Sequence, residues 1–413
     1  MPSDGAAFLA VAARLADGIA RAAVWSGGRC NWVGAVPSES PGARGDPATA
    51  ALGPDLYGGT AGVALFLAEA AAALEDERLR ATALGAIRLA LDHAERIDPE
   101  VRDGLYAGPV GIAHAAVRVG ERLAAEDVLA GACGLLGAWR RETTRSASSD
   151  VMSGGAGAVV GLVALSRRLG EPWLVDAAAR LGDELLARAR AGPAGWSWAA
   201  PGRRSMHDLC GYAHGAAGIG HALAELYGAT GELRFRQAAE RAFDYERSWL
   251  DPRDGTWPDL RGVARRAGRD APVPAADSWC NGAPGIALSR LRAAGLLGSP
   301  ALGGDADLAL AASERHIAEL LVGAPDDFSL CHGAAGVADA LLSAGGGRER
   351  LAAAVGRLGI DLHLGPGAPA FPCGVPVGET PGLLLGFGGI GLFYLRLFDP
   401  RVPSPLLVNL SEP

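Results

Sequence analysis

Two kinds of apolar pattern alternate along this chain. The first is apolar on nearly every side and opens at a Gly-x-x-Gly step. It appears as "YGGTAGVALFLAEA" (Gly59, Gly62), "YAGPVGIAHAAV" (Gly108, Gly111), "MSGGAGAVVGLVAL" (Gly154, Gly157) and "AHGAAGIGHALAEL" (Gly215, Gly218). It recurs as "CNGAPGIALSRL" (Gly282, Gly285), "CHGAAGVADALL" (Gly333, Gly336) and "FGGIGLFYLRL" (Gly388, Gly391). A helix that is apolar all round is a buried one, so these stretches predict seven inner helices. Between them run segments richer in Arg and Glu, such as those starting at Arg80, Trp173 and Arg234. Their apolar residues follow i, i+3, i+4, i+7 spacing, which predicts surface helices with one buried face.

The repeating unit reads as an outer amphipathic helix followed by an inner one. An open solenoid of such pairs would end in polar capping repeats, yet the last copy is as apolar as the others. The pattern therefore predicts an all-α fold: an α/α toroid (double α-barrel) of seven helix pairs with glycine-led inner helices, residues 1–413 forming a single domain. Glycine at each inner-helix start would let neighbouring backbones approach closely and the turn adopt unusual angles. Longer loops fall at roughly 26–55, 252–278 and 363–384 and are candidate rims or lids.

Composition narrows the functions. A formal charge of −8 and the lack of a basic stripe exclude nucleic acid as the main partner. The N-terminal stretch is interrupted by Arg14, Asp17 and Arg21, so it predicts an amphipathic helix rather than a signal peptide. No apolar run has the length of a membrane span, so no stable membrane insertion is expected. Six cysteines in 413 residues are too sparse for a disulfide scaffold, which points to reduced thiols in the cytoplasm.

The repeat register brings in the chemistry. Two residues before the first glycine of each step stand Tyr57, Tyr106, Met152, Ala213, Cys280, Cys331 and Gly386; one before it stand Gly58, Ala107, Ser153, His214, Asn281, His332 and Phe387. Two of six cysteines thus share one position and two of eight histidines the next. In a closed toroid such positions converge, so Cys280, Cys331, His332 and His214 are expected to face one cavity, with Asp150 on the same rim. Two thiolates and an imidazole suit Zn²⁺, and three protein ligands leave a fourth position open, as catalytic zinc requires. A soft, open zinc implies an incoming thiol held as thiolate. The competing expectations are ordinary ones: Asp150 capping its own turn, Tyr57 and Tyr106 as lining, His221 as packing, and Cys30, Cys133, Cys210 and Cys373 as inert buried thiols. Cys210 and Cys373 remain substitute ligands.

The stretches "SWCNGAPG" (278–285), "LCHGAAG" (330–336) and "YAHGAAGIGHAL" (212–223) resemble the lanthionine synthetase C-like (LanC) cyclase family, and the glycine steps extend the resemblance over essentially the whole chain. The resemblance implies Cys280, Cys331 and His332 as zinc ligands, His214 as an acid/base residue and Asp150 as its acidic partner. It implies a reaction in which a peptide cysteine adds to the β-carbon of dehydroalanine or dehydrobutyrine, forming lanthionine or methyllanthionine. Many members carry an arginine where this chain has Ala276, so Arg269 or another arginine of that loop would have to take its role. Asn281 stands where tyrosine or histidine is common and can donate to an oxyanion. The implied partners are a dehydrated precursor peptide with a leader segment and a separate dehydratase, with the chain itself a monomer in a transient complex. Two alternatives share these residues: intermolecular addition of a glutathione-type thiol, and a non-catalytic peptide-binding scaffold in which a further ligand such as Cys373 closes the zinc.

Overall fold

The computed structural model describes residues 4–36, 48–142, 146–199, 206–264 and 273–409. The glycine-led segments form α2 (Thr60–Leu74), α4 (Pro109–Arg122), α6 (Gly155–Leu169), α8 (Ala216–Thr230), α10 (Ala283–Leu297), α12 (Ala334–Ala344) and α14 (Phe387–Phe398). The amphipathic segments form α1 (Asp4–Arg21), α3 (Glu77–Asp92), α5 (Glu126–Arg141), α7 (Pro172–Arg188), α9 (Leu233–Arg247), α11 (Pro300–Leu320) and α13 (Glu349–His363). Strands are few and short: β1 (Val24–Ser26) pairs with β2 (Arg29–Asn31), β3 (Val33–Val36) with β4 (Ala48–Ala51), and β5 (Arg190–Gly192) with β6 (Gly195–Ser197), all antiparallel. No helix among the described residues is long and apolar enough to cross a membrane.

Burial follows the two patterns. Every residue of α2 from Thr60 to Ala71 and of α6 from Gly155 to Leu165 is buried. In α3, by contrast, Leu79, Thr82, Ala83, Ala86, Ile87 and Ala90 face inward, and Asp76 caps the helix by accepting from the N–H groups of Arg78 and Leu79. The order of pairing differs from expectation. Each of α2, α6, α8 and α12 packs on the outer helix that follows it, and α1, first in the chain, packs on α14, the last inner helix. Linear order cannot reveal this, because either neighbour of an inner helix carries a compatible apolar face.

The chain forms two compact units. Unit 1 comprises Met1–Ile97, Gly111–Arg141 and Glu319–Ser404; unit 2 comprises Asp98–Val110, Glu142–Ala318 and Pro405–Pro413. In both, the segment before an inner helix folds back so that its carbonyl six residues earlier meets the second glycine of the step. A Cβ on Gly285 would lie 2.0 Å from the carbonyl oxygen of Trp279, and one on Gly336 would lie 2.0 Å from that of Leu330. Close approach is therefore why glycine is needed. Unusual angles are not: the helix-capping Gly282 and Gly333 have φ of −120° and −98°, ordinary extended backbone. The same test moves the register of the last copy. Gly389 abuts the Leu383 carbonyl and Gly386 caps α14, so the equivalent positions there are Leu384 and Leu385 rather than Gly386 and Phe387.

Candidate metal and acid/base site

Equivalent turns are stitched together by their main chains. In unit 2, Ala107 N–H donates to the Met152 carbonyl (3.1 Å), Met152 N–H to that of Ala213 (3.3 Å) and Ala213 N–H to that of Cys280 (2.8 Å). In unit 1, Cys331 N–H donates to the Leu384 carbonyl (2.9 Å) and Leu384 N–H to that of Tyr57 (2.8 Å). Met152, Ala213 and Cys280 in one unit, and Tyr57, Cys331 and Leu384 in the other, thus become neighbours because they share a register position.

Unit 1 carries Cys331 and His332. The Cys331 sulfur is buried, and the Tyr57 hydroxyl donates to it at 3.0 Å. The half-exposed His332 is joined through Nδ1 to a carboxylate oxygen of Asp327, whose other oxygen accepts the Ser329 N–H at 2.7 Å. Burial alone would raise the Asp327 carboxyl, but the His332 and Ser329 bonds outweigh it and hold it below its ordinary value. An imidazole oriented by a carboxylate at Nδ1 offers Nε2 to a metal, with fixed tautomer and raised basicity. Gly374 lets the following turn close on this ring: a Cβ there would lie 2.7 Å from His332 Cε1.

Unit 2 carries Cys280, Asn281, His214 and Asp150. The buried Cys280 sulfur receives a hydrogen bond from Asn281 Nδ2 (3.3 Å) and lies 3.3 Å from Ser278 Oγ. His214 Nδ1 is 2.7 Å from Asp150 Oδ2, while Asp150 Oδ1 accepts from Ser153 N–H (2.8 Å) and Oγ (3.1 Å). Asp150 therefore caps its turn and holds the histidine as well. Burial pulls the His214 imidazole down, but the Asp150 bond and charge, helped by the Cys280 charge and opposed by Arg261, leave it above its ordinary value. For Asp150 burial raises the carboxyl, and His214 and Ser153 outweigh that to leave it lowered.

Several expectations change. Ala276 is buried with its N–H given to the Trp257 carbonyl (3.1 Å), and Arg269 lies outside the described residues. Among the described residues of that loop, Arg261, paired with Asp259, is an arginine whose charge reaches His214. Cys133 is exposed rather than buried. Cys373 is buried, its sulfur points at the Thr380 carbonyl (3.9 Å), and burial with nearby carboxylates pushes its thiol up to about 11. Tyr57, expected as plain lining, proves to be a sulfur's hydrogen-bond donor. Asp327 and Ser278 were not singled out from the sequence; the signal for Asp327 was its place among the carboxylates four to six residues ahead of capping glycines, with Asp55 and Asp150. Among the described residues no group of three or more His, Cys, Asp or Glu side chains is arranged to hold a metal ion. The fit to zinc is one of donor chemistry: buried sulfurs that accept hydrogen bonds, and a carboxylate-oriented imidazole.

Comparison with known proteins gives the class. The family model described as "Lanthionine synthetase C-like protein" matches residues 50–407, and the chain belongs to that family. No curated protein sequence matches it. Among solved structures, nisin cyclase shares the fold at 17% identity, with 86% of this chain and 92% of that one covered and a TM-score of 0.63. This supports the all-α toroid class predicted from the glycine register. A cellobiose 2-epimerase from Spirochaeta thermophila (14% identity, 77% and 98% covered) and an α-mannanase from Bacteroides thetaiotaomicron (10%, 71% and 84%) give TM-scores of only 0.44 and 0.43.

Proposed function

We propose that this chain is a zinc-dependent lanthionine cyclase acting on a dehydrated, ribosomally made peptide. Cys280, Cys331 and His332 are the proposed metal ligands. When bound there, Zn²⁺ would supply Lewis acidity that keeps an incoming thiol deprotonated near neutral pH. The observation that carries the reading is the Asp150–His214 pair, with His214 Nδ1 2.7 Å from Asp150 Oδ2, in a chain of this family.

The chain's own residues have separable tasks. Tyr57 and Asn281 donate hydrogen bonds to the two cysteine sulfurs and so favour their thiolate forms. Asp327 fixes the tautomer of His332. Asp150 holds His214 by Nδ1 and favours its protonated form, which suits a group that delivers a proton to the substrate α-carbon. In the reaction one carbon–sulfur bond forms at the β-carbon, the carbon–carbon double bond is consumed, the thiol loses a proton and the α-carbon gains one. No oxidant is needed and the peptide mass does not change.

The test is a dehydrated peptide with one cysteine, incubated with the zinc-loaded protein, alkylated and weighed. Loss of alkylation at unchanged mass supports the cyclase. Full alkylation after prolonged incubation contradicts it, and a gain of one glutathione in mass when glutathione is present assigns the intermolecular reaction instead.

A further inference from the structure

Irregular segments ordinarily run over the surface, because their backbone N–H and C=O groups need water. Segment 405–409 does the opposite: it belongs to no helix or strand, yet every residue in it is buried. Pro405 brings no N–H to satisfy, and the other polar groups find partners within unit 2. The Tyr106 hydroxyl donates to the Pro405 carbonyl at 2.7 Å and lies 3.3 Å from that of Leu406. Trp279 Nε1 donates to the Leu406 carbonyl at 3.0 Å, and Asn409 Nδ2 to the Val160 carbonyl at 3.4 Å.

Trp279 is the residue before Cys280, and its side chain is wholly buried, so its N–H requires an acceptor. The ring is edge-on to Tyr106 (centroids 5.2 Å) and tilted against Tyr212 (5.5 Å), while the Trp279 carbonyl lies against Gly285. In other copies the same register position holds Leu56, Leu105, Val151, Leu330 and Leu383, which need no polar partner. Both the ring and the carbonyl of Trp279 are thus held, and Cys280 follows one planar peptide later. The contacts at the Cys280 sulfur come from Ser278 and Asn281 of the same turn, so they travel with the turn and do not place it.

We propose that segment 405–409 is the positioning element of the Cys280 turn, acting through the Leu406 carbonyl and Trp279. In the cyclase reading, on which this inference rests, it pre-organises one of the metal ligands. Leu406 and Trp279 are positioning residues, and neither contacts a reacting group.

The test uses full-length protein stripped of metal by a chelator, and reads the rate at which iodoacetamide labels each buried cysteine, resolved by peptide mass. Labelling of a buried thiol tracks the population of the locally opened state. Trp279→Phe removes the N–H and keeps an aromatic ring, and Tyr106→Phe removes only the hydroxyl. Each should raise labelling of Cys280 about fivefold and leave Cys30 and Cys210 at wild-type rates. Leu406→Glu, which sets a charge where the side chain is wholly buried, should raise it about tenfold or more; Leu406→Met should keep the wild-type rate. If Leu406→Glu does not fold, the two phenylalanine variants decide. Zinc-loaded variants should release metal to excess chelator faster by similar factors, because a ligand must swing away for the metal to leave. Unchanged Cys280 labelling overturns the proposal. A rise shared by Cys30 and Cys210 also overturns it and assigns the segment to general stability. Selective labelling with wild-type zinc release overturns its part in holding a ligand. A wild-type protein that binds no zinc would sink the cyclase reading instead, and the labelling pattern would still decide what places Cys280.

Discussion

The two units carry the same parts in different order. In unit 1 the thiol and the carboxylate-held imidazole are consecutive residues, Cys331 and His332, on one turn. In unit 2 they come from different turns: Cys280 is followed by Asn281, and the held histidine, His214, stands on the turn before, whose Ala213 N–H donates to the Cys280 carbonyl. A histidine on the same tight turn as a thiol is held near that sulfur, which suits the shared metal proposed for Cys331 and His332. A histidine on the neighbouring turn is positioned independently of the sulfur and can move a proton. In the proposed reading, the difference lets one register position supply either a ligand or an acid, according to what precedes it.

The largest effect should come from removing a sulfur. Cys280→Ala and Cys331→Ala should each lose the metal and lower cyclisation by about 10³-fold or more, read by elemental analysis and by the alkylation assay. If either variant kept both metal and activity, the two halves would not be equivalent sulfur donors.

The next two variants sharpen the contrast between the histidines. His214→Ala should retain zinc and lose about 10²–10⁴-fold in rate. Asp327→Asn should instead weaken zinc about 10–100-fold, with little effect on rate at saturating metal. Exchanged outcomes, with zinc lost in the first and rate lost in the second, would reverse the roles given to the two turns.

Both contrasts were partly legible in the chain itself. The inner and outer helices were readable because all-round apolarity and 3.6-residue periodicity are local signals. The alignment of Cys280 with Cys331 and of His214 with His332 was readable because the glycine step keeps its spacing from them. The last copy was not, because "LGFGGIG" offers four glycines, and only close approach to the Leu383 carbonyl selects Gly389. Asp327 and Ser278 were missed because their reach depends on how the preceding loop doubles back. The pairing of α1 with α14 joins opposite ends of the chain, which no periodicity encodes.

A smaller effect concerns stability in unit 2. Glu225 is wholly buried; burial alone would raise it, but His221 and Arg292 outweigh that and bring it from 4.5 to about 2. A depressed carboxylate stabilises the fold above its unfolded value and loses that contribution as pH falls from about 4.5 to about 2. Glu225→Gln should therefore cost about 3 kcal/mol at neutral pH, by stranding Arg292, and should flatten the acid limb of thermal unfolding. A variant with the wild-type slope would show that Glu225 does not set it. Smallest of all, Tyr57→Phe removes one hydrogen bond to the Cys331 sulfur, worth about 1 kcal/mol. It should raise the apparent pKa of metal binding slightly without abolishing it; an unchanged pH profile would mean that Tyr57 does not tune the sulfur.

The most direct measurement is the zinc content of the purified protein beside Cys331→Ala, with X-ray absorption on the wild-type metal. The account predicts about one zinc per chain, absent from the variant, with two sulfur ligands and the remainder nitrogen or oxygen. No zinc, or a shell of three or four sulfurs, would contradict it.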